Sequence, residues 1–584
     1  MTFISNSPAT SDPPFMSNFP VKSTKLPYVT VSPKGMSNGL SDIPNDGADF
    51  GPDTLLSTSS KGQYGSPYTQ TSGIQEAINY VRSFANPNTA FLPEIHLLPG
   101  LYLVHQPIYL KYTATNKPAE ITLNNNLSGS NNVSGISAPI LIGEGNWNEE
   151  GNGLTTPTGA FITAASDFPK GEYLFALLLP TTNPWISNVE NPFFAGGRLE
   201  NITFWCNNLA AGVMLMQYAD GFVSKIQIND PTFPNPVITQ APDSSGQSYQ
   251  TGAFVYNQTY DSGEYTLFEE IDIRGNAYED GFVLNIEGGI LTGINLWMSG
   301  GAQRYGFNIS SSTLFPLTLI NPQSDINGGW TGSVPQPGYS PQAAGYYIAT
   351  GTVYILNNNS FIGMTGDYPY VYVLNGVLYI NGGYYRAQGN EYVIVTPNNS
   401  VVVENATIEY NSSKNGVFKT TIPDNVTIGS QVFRNISYID DNTSTPSYPP
   451  FNINWGNFYP WFMHLQIDPF FDNRQRYFGG YPPILTTNPP ASGTIYQNQN
   501  PTKIRIYLPV YTSTSGTAGS VSVSMGNNQS GTSPPSIPTI YTKFINGSTS
   551  SSAPEIATVE VPAGWYYSFT GTGVTFGTAT VEAV

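Results

Sequence analysis

Between Leu199 and about Ser437 the chain restarts a short apolar strand again and again, and this recurrence restricts the available folds more than any other feature. Strands begin near Gly212-Val213-Met214-Leu215, Gly252-Ala253-Phe254-Val255, Gly281-Phe282-Val283-Leu284, Gly306-Phe307-Asn308-Ile309 and Gly345-Tyr346-Tyr347-Ile348. The series continues at Tyr370-Val371-Tyr372-Val373, Tyr392-Val393-Ile394-Val395 and Gly416-Val417-Phe418. The closest starts are about 22 to 25 residues apart, the length of one solenoid turn of three short strands, and the wider intervals hold insertions. Companion strands lie between them at Ile202-Thr203-Phe204, Ile226-Gln227-Ile228, Ile271-Asp272-Ile273, Ile294-Asn295-Leu296 and Val401-Val402-Val403. Most alternate apolar and polar residues, which sends one set of side chains into the solenoid and the other onto its faces. The two largest insertions run from Asp230 to Gln250 and from Asn321 to Ala343, the second carrying Gly328-Gly329-Trp330. Loops leaving such a rod are where ligand contacts concentrate.

Upstream, Asn45-Asp46-Gly47-Ala48-Asp49 is a turn cluster, and Ser72-Gly73-Ile74-Gln75 predicts a helix start with Ser72 as cap and Gln75 reaching back to it. Ile74, Ala77, Ile78 and Val81 give that helix one apolar face. Ile95-His96-Leu97-Leu98 reads as a strand, Pro99-Gly100 as a turn and Leu101-Tyr102-Leu103-Val104 as a second strand. This order, extended by Leu141-Ile142-Gly143-Glu144-Gly145, resembles the opening segment of the pectate-lyase-like superfamily of right-handed parallel β-helices. The resemblance implies an all-β fold, a right-handed parallel β-helix whose N-terminal helix caps strand edges that would otherwise be unpaired. That fold hosts lyases, hydrolases, adhesins and viral tailspikes, so function has to be read from a site.

Charged residues make up only 10% of the 584, well under the ~25% usual for soluble chains. Polar surface therefore rests on Asn, Ser, Thr, Gln and Tyr, and repeated Asn suits stacked turns because it accepts the left-handed conformation and can ladder with its copies. A net charge of −18 and a pI near 4.5 argue against nucleic acid as a partner. Cys206 is the single cysteine, and the three histidines are His96, His105 and His464. No intrachain disulfide, His-rich metal site or cofactor is expected. Met1 to Leu40 shows neither a basic start nor an apolar run, so neither a secretory signal nor membrane insertion is expected. Asn-x-Ser/Thr sequons at Asn126, Asn132, Asn201, Asn257, Asn308, Asn405, Asn425, Asn435 and Asn546 give an extracellular-looking surface. Without an export signal, that combination fits a virion component.

The expected organisation is an N-terminal arm or attachment segment over residues 1–44, a β-helix over 45–437, an aromatic-rich neck over 438–483 and a C-terminal β-sandwich over 484–584. The neck carries Trp455, Trp461 and Phe470-Phe471. The sandwich is predicted from strands at Ile504–Leu508, Val521–Ser524, Thr558–Val561 and Thr578–Val581, separated by Gly/Ser/Pro turns. The segments Pro490-Ala491-Ser492-Gly493-Thr494, Gln497 to Pro501 and Val561-Pro562-Ala563-Gly564-Trp565-Tyr566-Tyr567 are similar to small C-terminal β-domains of phage and viral tail and fibre proteins.

Glycoside hydrolysis needs two carboxylates about 5 to 9.5 Å apart, and acids at matching positions of neighbouring coils, about 4.8 Å apart, meet that need. The candidate catalytic acids are Asp220, Glu269, Glu270, Asp272, Glu279 and Asp280, with Arg274, Trp297 and Trp330 as substrate-binding residues. Asp220-Gly221-Phe222 and Asp280-Gly281-Phe282 resemble part of the polygalacturonase pattern, in which a catalytic Asp precedes Gly. The Asp-Asp pair, Gly-His-Gly and Arg-Ile-Lys elements of that pattern are missing, and no histidine lies between residues 106 and 463. Asp220 and Asp280 therefore also read as Asp-Gly turns that begin a strand. The only Asp-Asp doublet, Asp440-Asp441, is expected in a loop beyond the repeats.

The expectation is a tailspike or fibre subunit on the virion surface, assembled as a trimer. It would bind a host cell-surface polysaccharide or glycoprotein and contact other virion proteins through its arm, with glycan hydrolysis as a further expectation. A secreted polysaccharide hydrolase or lyase, and a purely structural surface protein, are the alternatives.

Overall fold

A computed structural model describes residues 28–33, 48–54, 69–83, 93–112, 120–121, 136–147, 157–178, 194–216, 218–232, 252–258, 265–275, 280–286, 289–300, 304–312, 314–326, 343–397, 399–421, 431–441, 451–454, 465–467, 485–487, 490–498, 503–512, 518–526, 538–545, 555–562 and 565–583. The chain divides into two compact units, residues 1–347 and 348–584.

In the first unit each coil has three walls. Strands Arg198–Trp205, Phe222–Asn229, Tyr265–Gly275 and Ile290–Gly300 each bend once, at Asn201, Lys225, Glu270 and Asn295, so each supplies two walls. Strands Val213–Met216, Phe254–Gln258, Asp280–Ile286 and Tyr305–Ser311 supply the third. Every pairing among these is parallel and in register. Ile202, Ile226, Ile271 and Leu296 stack on one another inside one wall, as do Val213, Phe254, Phe282 and Phe307 inside another. This is a parallel β-helix.

The bends have a local cause. Asn201, Lys225, Glu270, Asn295 and Asn321 all have φ between 50° and 60°, the left-handed region that Asn tolerates better than other side-chain-bearing residues. The Asn321 amide donates to Asn295 Oδ1 at 3.3 Å, and Asn201 Nδ2 donates to the Gly143 and Gly145 carbonyls at 2.7 Å each. The asparagine ladder expected from composition is therefore the corner of the coil. In the interior, Phe282 stacks on Phe307 at 4.8 Å and Phe307 on Tyr346 at 4.9 Å, the rings within 12° of parallel. Full burial of side chains of this size contributes roughly 1.5–3 kcal/mol each.

The helix Ile74–Ser83 buries Ile74, Ala77, Ile78 and Val81 completely. Its start differs from the predicted capping box. Thr71 Oγ1 accepts from the Gln75 backbone N–H, and Thr69 and Thr71 donate their hydroxyls to buried Glu76. Ser72 instead donates to the Leu103 carbonyl, and the Gln75 side chain pairs with the backbone of Tyr109. Both residues dock the helix onto the strands it covers. Within the expected arm over residues 1–44, the described strand Tyr28–Val31 pairs in parallel with Glu94–Leu97 and buries Val31.

In the second unit, Thr352–Asn359 pairs with Val377–Arg386, which pairs with Ser400–Glu404 and Thr407–Tyr410, and these with Gln431–Arg434 and Ser437–Asp440. The corner residues are Asn357, Gly382, Asn405 and Asn435, with Asn435 donating to Asn405 Oδ1 at 2.8 Å. The break in rhythm over 438–483 does not end the stack. Phe451–Asn454 pairs with Phe418–Thr421, and Leu465–Ile467 with Gln431–Arg434. Longer connections obscure the period there without changing the register. Asp440, placed by the sequence in a loop, ends a strand of this stack and accepts from Ser412. The neck aromatics Trp455, Trp461, Phe470 and Phe471 lie outside the described residues.

The C-terminal segment forms two antiparallel sheets. Leu485–Thr487, Ala579–Ala583, Ile504–Thr512, Glu555–Val561 and Val574–Phe576 make one; Tyr496–Gln497, Tyr566–Thr572, Gly519–Gly526 and Thr539–Ile545 make the other. Ile506, Leu508, Val521, Val523, Val559 and Phe569 close the core between them, a β-sandwich.

Candidate functional site

Past the corner of each coil in the first unit, side chains alternate between the core and the outside. Two residues beyond it, Thr203, Gln227, Asp272, Trp297 and Gln323 stack in register; four beyond it stand Trp205, Asn229, Arg274, Ser299 and Asp325. The residues between them, Ile226, Ile228, Ile271, Ile273, Leu296 and Met298, fill the core, so both columns point outward. A solenoid face of this kind is normally wet, yet Gln227 is 1% exposed, Asp272 3% and Asp325 6%. Arg274 Nε donates to Asp272 Oδ2 at 2.6 Å, and Gln323 Nε2 donates to Asp325 Oδ2 at 2.7 Å. Two buried polar atoms beside Asp272, Gln227 Oε1 in the preceding coil and Trp297 Nε1 in the next, have no hydrogen-bond partner among the described residues. Leaving such atoms unpaired costs about 1–3 kcal/mol each.

Asp230, one residue past this face, is a further acid of interest. Its backbone N–H donates to the Arg274 carbonyl at 2.9 Å, and burial raises its carboxyl above the ordinary Asp range. The same burial, with Asp230 beside it, pushes the Cys206 thiol well up and leaves it inert.

The five candidate acids among the described residues do not share a face. Glu269 points outward before the corner, Glu270 is the corner itself with φ 54°, and Asp272 points outward after it. Asp220 is an exposed turn residue with φ 51° that precedes strand Phe222–Asn229, its Asp-Gly reading. Asp280 is completely buried: Arg304 donates to both its oxygens at 2.7 and 2.6 Å, and Asn308 donates to Oδ2 at 2.8 Å. With both oxygens taken by Arg304 and Asn308, this acid holds the fold and has no acceptor left to offer a ligand. Glu279 and Trp330 lie outside the described residues. What the structure does assemble from the sequence candidates is Asp272, Arg274 and Trp297 in adjacent coils. Gln227, Asp230 and Asp325 escaped sequence reasoning, although Asp230 and Asp325 fall at the edges of the two predicted insertions.

Among the described residues no group of three or more His, Cys, Asp or Glu could hold a metal ion, and no helix is long and apolar enough to cross a membrane. The strand pairing defines the class as a parallel β-helix with a β-sandwich. No protein-family profile matches the chain, and no curated protein matches it either. Among solved structures, the full-length tailspike protein 2 of Escherichia coli O157:H7 bacteriophage CAB120 aligns over 93% of this chain and 68% of its own, at 10% identity and a TM-score of 0.31. WceF of Pantoea stewartii, described as a glycan biofilm modifying enzyme with a bacteriophage tailspike-like parallel β-helix fold, aligns over 84% of this chain at 11% identity and a TM-score of 0.15. This chain spans 56% of WceF. The fold assignment stands on the chain's own strand register, not on these superpositions.

Proposed function

We propose that this chain is a tailspike- or fibre-type subunit that binds host-surface glycan along the outward face of Gln227, Asp272, Arg274 and Trp297. The observation that carries the reading is the pair of buried, unpartnered atoms on either side of Asp272: an indole donor and an amide acceptor at neighbouring coils. Sugar hydroxyls both donate and accept, so a glycan that displaces the cover over this face would satisfy both atoms. The Trp297 ring adds an apolar surface for the C–H face of a pyranose. Assembly as a trimer on a virion belongs to the same reading, because weak contacts repeated by each copy add through multivalency.

The test is binding of the purified chain to envelope polysaccharide from candidate hosts. Trp297→Ala and Gln227→Ala are expected to lower affinity on the order of tenfold each, a little over 1 kcal/mol; full retention in both rejects this face as the site. A second reading, cleavage of the bound glycan, is favoured by the raised carboxyl of Asp230, which suits a proton donor. New reducing ends that vanish in Asp230→Asn and Asp272→Asn would support it, and their absence from the unaltered protein would leave binding alone.

A further inference from the structure

The second unit carries a polar cluster that none of the sequence candidates touches. On its outward face, Tyr384 and Arg386 of strand Val377–Arg386 meet Glu409 of the next coil and Asp441 of the one after. Tyr384 donates its hydroxyl to Glu409 Oε2. Arg386 Nε lies 2.8 Å from Glu409 Oε1, and its NH2 lies 3.8 Å from Asp441 Oδ2. The first contact is an ion pair without hydrogen-bond alignment, so the buried Nε–H has no aligned acceptor. The turn Ser360–Gly363 packs against the backbone of Arg386: Met364 N–H donates to the Arg386 carbonyl at 3.1 Å, and Gln388 Nε2 donates to the Ile362 carbonyl at 3.0 Å. That turn presents Phe361, 70% exposed, and Ile362, 52% exposed, side by side. Neither contributes to the core, and both are costly to hold in water without a use.

We infer that Phe361, Tyr384, Arg386, Glu409 and Asp441 form a second saccharide-binding patch, selective for neutral or amino-bearing hexose units over uronates. This rests on the glycan-binding reading above and extends it to the second unit. Phe361 offers a ring face to the C–H face of a pyranose. Glu409 and Asp441 accept from vicinal hydroxyls, and the Arg386 guanidinium, its side chain 27% exposed, donates to a sugar oxygen. Two carboxylates facing one guanidinium leave the cluster net negative, so a carboxylate-bearing sugar is repelled while an ammonium-bearing one is attracted.

The experiment measures retention of the full chain and of Phe361→Ala, Glu409→Gln and Trp297→Ala on immobilised oligosaccharides of three kinds: neutral hexose, free-amino hexose and uronate. The expected result is retention on the neutral and amino members, little on the uronate, and a loss on the order of tenfold in Phe361→Ala. Glu409→Gln is expected to narrow the difference between amino and uronate members. Phe361 is so exposed that its replacement leaves the fold intact, which keeps the test valid even if Glu409→Gln misfolds. Unchanged retention in Phe361→Ala, or a preference for uronate, overturns the patch. If Trp297→Ala alone loses binding, the first-unit face stands and this patch falls; if Phe361→Ala alone does, the reverse holds.

Discussion

Asp272 and Asp280 are eight positions apart in the sequence, each bonded to an arginine, and the structure gives them opposite work. Asp280 opens a strand of the third wall and is sealed in with Arg304 and Asn308. Asp272 stands on an outward column with Arg274, whose side chain is 33% exposed, and with unpartnered neighbours on both sides. Enclosure by designated partners marks a structural acid, and a carboxylate beside unsatisfied groups marks a site. Both acids are buried, so the distinction is one of pairing and of the partner arginine's exposure, 33% for Arg274 against 4% for Arg304, not of residue type.

The largest expected effect breaks the enclosed pair. Asp280→Ala strands the Arg304 guanidinium in the core and should cost about 3–5 kcal/mol, read as a lower urea midpoint. A double change of Asp280→Leu and Arg304→Met should recover most of that loss, because two apolar residues remove both buried charges. If Asp280→Ala unfolds like the unaltered protein, Asp280 is not structural and the contrast collapses. Asp272→Asn is the counterpart. Its arginine, 33% exposed, can turn to solvent, so Asp272→Asn should lower the urea midpoint less than Asp280→Ala does while retention on glycan falls.

Glu270 sharpens the same contrast from the corner. It holds the left-handed conformation where other coils place Asn201, Asn295 and Asn321, and a side chain that does not favour it costs roughly 1–2 kcal/mol there. Glu270→Asn should therefore raise the unfolding midpoint by about 1 kcal/mol equivalent without altering glycan retention. A loss of binding would instead mark Glu270 as part of the site.

These cases show what the sequence discloses. The strand starts at Phe254, Phe282 and Phe307 were legible because inward positions of a solenoid must be apolar at every coil, and the recurrence survives variable loops. Asn295, Asn321, Asn405 and Asn435 were legible as a class, since few other residues accept the corner. The same geometry accounts for the sequons at Asn201, Asn405 and Asn435: a corner asparagine precedes a strand rich in Thr and Ser. The contacts of Arg386 with Glu409 and Asp441 were illegible, because they depend on register between coils separated by loops of unequal length. Tyr28–Val31 escaped for another reason: a single strand at the edge of the stack has no periodic neighbour to announce it.

That edge strand supports the smallest prediction. Tyr28 packs on His96 with ring centroids 4.8 Å apart, and His96 bonds Glu144 at 2.6 Å through Nδ1 and Glu94 at 2.9 Å through Nε2. Burial pulls the imidazole pKa down, but the hydrogen bonds and charges of Glu94 and Glu144 together outweigh it and raise the pKa above the usual value. A raised pKa in the folded state means the folded chain holds the proton more tightly than the unfolded one. The stabilisation is therefore complete below the ordinary histidine pKa of about 6.5 and fades as pH rises through the raised value. Amide exchange in Tyr28–Val31 should be slower at about pH 5.5 than at about pH 8.5, after correction for intrinsic rates, by an amount worth less than about 1 kcal/mol. His96→Gln should abolish the difference. An unchanged pH dependence in His96→Gln would move the origin of the effect to Tyr28 or the strand pairing, and would leave the outward carboxylates of Glu94 and Glu144 with no part in holding the first coil. In that case the contrast drawn from Asp280 would apply to enclosed acids alone.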